Sequence, residues 1–88
     1  MSKPLIVVVD DEPQVLRAIG RDLLSRYGRD YRIFRASSGQ EAMDVLVRER
    51  DAAQPVALVL SDQRMPGLDG VTFLAEARRV VPAARRRC

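Results

Sequence analysis

Three short apolar runs alternate along the chain with three stretches of helical period. Leu5-Ile6-Val7-Val8-Val9 is continuous and mostly β-branched, the pattern of a strand covered on both faces. Pro13 follows Asp10, Asp11 and Glu12, and proline is tolerated in a first helical turn. Val15, Leu16, Ile19, Leu23 and Tyr27 then recur at helical spacing, and Gly28 supplies a stop. Residues 31–36 predict a second strand, and Arg32 and Arg35 mark it as a sheet edge, because charge guards exposed edges. Ser38-Gly39-Gln40-Glu41 has capping-box spacing, and the helix it opens would bury Ala42, Met43, Val45 and Leu46. Residues 56–60 form a third apolar run of the doubly covered type, followed by a turn-rich loop over 61–67. Asp69 can cap a third helix carrying Val71, Leu74, Ala75, Arg78 and Val81, which Pro82 ends.

Strand and helix in strict alternation imply parallel pairing with right-handed crossovers. In such sheets ligands sit beyond the carboxyl ends of the strands, where the strand order reverses. Asp10 and Asp11 follow the first strand, and Asp62 follows the third. If those strands are neighbours across a switch point, the three carboxylates share one pocket. Each acidic group alone has a plain structural explanation: the first favours the start of a helix through its dipole, and the second is a turn residue. Their joint occurrence directly after two buried-type strands is what points to chemistry.

Two ionised carboxylates ~4 Å apart repel by about 4 kcal/mol at an effective dielectric of ~20. A divalent cation resolves that repulsion, and Mg2+ commonly takes one or two carboxylates plus a phosphate while keeping several waters. A carboxylate beside such an ion can act as a nucleophile toward phosphorus. Composition narrows the alternatives. The chain has no histidine and a single cysteine, Cys88, which leaves an oxygen-only metal site. No glycine-rich phosphate loop follows the first strand.

Eighty-eight residues allow one small domain, and 47% apolar with 31% charged residues fits a globular protein. The lone cysteine fits a cytoplasmic setting, and no apolar run reaches membrane-spanning length. The net charge of +3 equals the contribution of Arg85, Arg86 and Arg87. Without interleaved aromatics, these arginines read as a solvated chain end just past a helix rather than a nucleic-acid contact.

The strand running into Asp10-Asp11-Glu12, the passage Ala36-Ser37-Ser38-Gly39-Gln40-Glu41-Ala42 and the loop Asp62-Gln63-Arg64-Met65-Pro66-Gly67 with Asp69-Gly70 together resemble the receiver domain of two-component response regulators. That resemblance implies a flavodoxin-like, CheY-like doubly wound sheet with strand order 2-1-3-4-5. It implies that Asp62 accepts a phosphoryl group from a sensor histidine kinase or phosphotransfer protein, as a signalling module rather than a turnover enzyme. It further implies that Asp11 ligates Mg2+ directly, Asp10 mainly through water, and Arg64 through its backbone carbonyl. The segments 31–39 and 61–67 are similar to receivers fused ahead of a thioredoxin-reductase-like flavoprotein.

The same resemblance carries an expectation of incompleteness. Family members continue into a fourth strand ending in a hydroxyl residue and a fifth ending in a lysine. Here the only lysine is Lys3 and the only threonine is Thr72, neither suitably placed. Arg86-Arg87-Cys88 falls about where the fourth strand begins. Residues 1–88 are therefore expected to form about three strands and three helices, leaving the third strand as an exposed apolar edge and the first and third helices short of packing partners.

Overall fold

The computed structural model describes residues 3–61 and 70–87. Its elements follow one another as β1 (Leu5–Val9), α1 (Pro13–Tyr27), β2 (Arg32–Ala36), α2 (Gly39–Asp51), β3 (Val56–Ser61), α3 (Gly70–Val80) and β4 (Arg85–Arg87). The four strands form one parallel sheet in the order β2-β1-β3-β4.

Two expectations about the chain's end need correction. A short fourth strand is present, and Arg85–Arg87 are its residues rather than a solvated tail. It pairs Leu58 with Arg85, Val59 with Arg86 and Leu60 with Arg87, so β3 is flanked on both sides over those three residues instead of lying at an edge. Arginines suit the new edge for the reason that they suit β2: a charged outer strand resists further pairing.

β1 is the centre of the molecule, with every residue at 4% exposure or less. Side chains alternate across a strand, so Leu5, Val7 and Val9 join α2 and α3 in one cluster while Ile6 and Val8 join α1 in another. The first cluster encloses Ala42, Val45, Leu46, Val59, Ala77 and Val80. The second has only Ile6, Val8 and Leu16 fully buried, with Ile19, Leu23 and Tyr31 half-covered.

The helices depart from the sequence pattern in phase and in their ends. In α3 the inward face is Leu74, Ala77 and Val80, continued by Val81, whereas Ala75 and Arg78 face solvent. Apolar count alone does not distinguish two alanines one half-turn apart. Over its described side chains α3 packs Ala77 and Val80 into the core, with Leu74 against it. In α1, Leu16 is buried, but Val15 and Tyr27 are exposed. Gly28 stays right-handed (φ −61°, ψ −19°), so it is no left-handed cap; the chain turns because Asp30 N and Tyr31 N both donate to Tyr27 O. The Asp69 cap lies outside the described residues.

The capping box at α2 is half as read. Ser38 Oγ accepts from Glu41 N at 3.1 Å, but the Glu41 carboxylate turns back to Ser37, accepting from its Oγ at 2.9 Å. At the edge, Arg32 donates to Glu49 at 2.7 Å and to Lys3 O at 2.8 Å, which ties β2 to the end of α2 and to the segment before β1.

Candidate functional site at the carboxyl edge of the sheet

The chain leaves β1 toward β2 on one side and reaches β3 on the other, so the strand order reverses between β1 and β3. That is the switch point at which doubly wound sheets open a crevice. The neighbour relation required for a shared pocket is therefore present.

Register decides which residues meet there. Val9 pairs with Ser61, Val8 with Leu60 and Val7 with Val59, but Leu5 pairs with Val56, so one extra residue is inserted between them. Ala57 is that residue, a β-bulge at the amino end of β3. Its effect is felt at the other end: without it Val9 would face Leu60. With it, Ser61 stands level with Val9, the residue before Asp10. Sequence reading missed this bulge and ended the strand at Leu60. Ser61 in fact belongs to β3 and is 5% exposed. The small Ala57 inside an otherwise bulky run is the one available signal.

Asp10 is buried, at 6% exposure. Its backbone N–H donates to Ala36 O at 3.1 Å, which fixes it to the end of β2. Its carboxylate Oδ1 accepts the Glu12 N–H at 2.9 Å. That bond serves a backbone donor at the start of α1, where Glu12 itself provides no side-chain cap. Asp11 and Glu12 face solvent. The described part of the site therefore has an inner carboxylate held in place and an outer one that is free to take water or a ligand.

The described donors are oxygen atoms only, which suits Mg2+ and not a soft metal. Among the described residues no group of three acidic, cysteine or histidine side chains gathers. Asp62 and Arg64, the other expected members, lie outside the described residues. Lys3 sits at the amino end of β1, where its Nζ donates to Gly28 O at 3.2 Å, far from this edge, as expected.

Residues 6–85 match the family model described as the response regulator receiver domain. The chain belongs to the response regulator receiver family. It is 43% identical over 77 residues to the hydrogenase transcriptional regulatory protein HoxA of Cupriavidus necator, covering 88% of this chain and 14% of HoxA. Its fold is similar to the receiver domain of the hybrid histidine kinase CckA (TM-score 0.72, 32% identity), covering 93% of this chain and 70% of that one. It is also similar to a chain in the complex of the CheA3 P1 domain with CheY6 from R. sphaeroides (TM-score 0.68, 33% identity), covering 98% and 62%. The receiver chain described here thus spans a small part of HoxA and roughly two thirds of the solved chains. These relatives give no support to the flavoprotein sub-group. Receiver domains are signalling modules of two-component systems, and among the described residues no helix is long and apolar enough to cross a membrane.

Proposed function

We propose that this receiver is a phosphoacceptor in a cytoplasmic phosphorelay, with Asp62 as the residue modified. The observation that carries the reading is the register that sets the end of β3 level with the end of β1 beside a buried Asp10. A carboxylate oxygen of Asp62 attacks the phosphorus of a phosphohistidine. The P–N bond breaks, an acyl phosphate forms, and the departing imidazole takes up a proton.

Asp10, Asp11, Asp62 and the backbone carbonyl of Arg64 would hold Mg2+, with Asp10 acting mainly through water. The ion supplies positive charge for the crowded carboxylates and the incoming phosphoryl oxygens. The protein's own contribution is positional. The Glu12 N–H and the Ala36 carbonyl keep Asp10 from rotating away, and the open side at Asp11 admits the donor.

The donor proposed is a sensor histidine kinase or phosphotransfer protein. The solved complex that pairs the CheA3 P1 domain with CheY6 supports a partner of that kind. Incubation with acetyl phosphate and Mg2+ is expected to add the mass of one phosphoryl group to the chain. Asp62→Asn is expected to abolish the gain, and chelation of Mg2+ to suppress it. Labelling that persists in Asp62→Asn would overturn the assignment.

A further inference from the structure

A second feature lies on the opposite side of β1 from β3. In α1, Gly20 is an interior helical position, where glycine is normally unfavourable. A Cβ built there would stand 2.2 Å from Arg35 Cδ and 2.8 Å from its Cγ. The glycine therefore lets the Arg35 stem lie across the helix backbone. Arg35 comes from the outer strand, β2, and its charge is carried over α1 to where Arg17 and Arg21 flank the glycine.

These three arginines share a hollow of about 270 Å³ with Leu24 and Ile33. A second hollow of about 210 Å³ shares Arg17 and Arg35 and extends to Pro13 and Ser37 at the carboxyl edge. Neither is lined by a carboxylate. Arg17, Arg21 and Arg35, like Arg29, Arg48, Arg78, Arg85 and Arg86, have no acidic partner among the described residues, but they alone are gathered round one hollow. Three like charges collected round one concavity repel one another, and a bound anion would relieve the repulsion.

We propose that this furrow docks an acidic segment of a partner protein, its carboxylates pairing with Arg17, Arg21 and Arg35 and an apolar side chain resting on Leu24 and Ile33. Arginine's fork favours bidentate pairing with carboxylates, and Arg17 and Arg21 stand one helical turn apart, matching acids at the same spacing on a helix. Leu24, 60% exposed, supplies the apolar contact. A continuous polyanion fits less well: no aromatic lines either hollow for base stacking, and Asp11 and Glu12 stand exposed just before Pro13 at its upper end. The proposal does not depend on phosphorylation and survives or fails apart from it.

The test is an amide NMR titration of the 88-residue chain with a synthetic helical peptide bearing glutamates one turn apart and leucines between them. Shifts are expected at residues 13–24 and 33–37. Arg17→Gln combined with Arg21→Gln and Arg35→Gln should weaken binding by about tenfold or more. Gly20→Ala retains every charge but displaces the Arg35 stem, and should weaken binding by a smaller factor while amide dispersion is kept. Unchanged affinity in the triple variant would overturn the proposal. So would shifts centred elsewhere, or tighter binding of a single-stranded oligonucleotide or of phosphatidylserine vesicles than of the peptide.

Discussion

On the α2 and α3 side of the sheet, Leu46, Val7, Val59 and Ala77 are wholly enclosed, while on the α1 side Val15, Leu24 and Tyr27 remain in solvent. Both sides are built on the same strands, and β1 is equally apolar toward each. The difference lies in what covers them. Among the described residues two helices close one face, whereas one helix lies on the other beside a groove of about 400 Å³ lined by Ile6, Leu23, Tyr27, Tyr31, Leu58 and the edge residue Arg85. Stability is thus concentrated on the α2 and α3 side. The α1 side carries the arginine furrow.

The largest effect should come from the enclosed face. Leu46→Ala removes a fully buried side chain and is expected to cost about 2–5 kcal/mol in a denaturant melt. For a domain of this size that is a large share of its ~5–15 kcal/mol margin. Helix starts give the next contrast. α2 has a side-chain cap at Ser38 and α1 has none at Glu12, so Ser38→Ala should cost about 1 kcal/mol. On the open face, Leu24→Gln is expected to change stability by no more than about 0.5 kcal/mol. A loss in Leu24→Gln comparable to that in Leu46→Ala would show that the two faces do not differ in the way described.

Much of this architecture is legible in the residues. The doubly apolar run at β1, the charged outer strand β2 and the serine cap of α2 each follow from local chemistry. So does the alternation that makes the sheet parallel. The phase of α3 was not legible, because Ala75 and Ala77 are equally small and only packing against α2 and β3 selects one. The fourth strand was misjudged because three arginines carry no apolar signal; pairing with Leu58, Val59 and Leu60 makes them a strand. Of the candidate site, the acidic residues could be named from sequence, but the register that aligns β1 with β3 depends on a bulge at Ala57 that no periodicity announces. The Arg35–Gly20 contact was equally hidden, since it joins residues on different elements through a missing Cβ.

Chemical trapping of the modified residue is the most direct test of the central claim. After reaction with acetyl phosphate and Mg2+, borohydride reduces an acyl phosphate to the corresponding alcohol, and peptide sequencing locates it. Reduction at position 62 alone is the result expected. Reduction at Asp10 or Asp11, or no reduced residue in a chain that remains folded, would contradict the assignment of Asp62 as the phosphoacceptor.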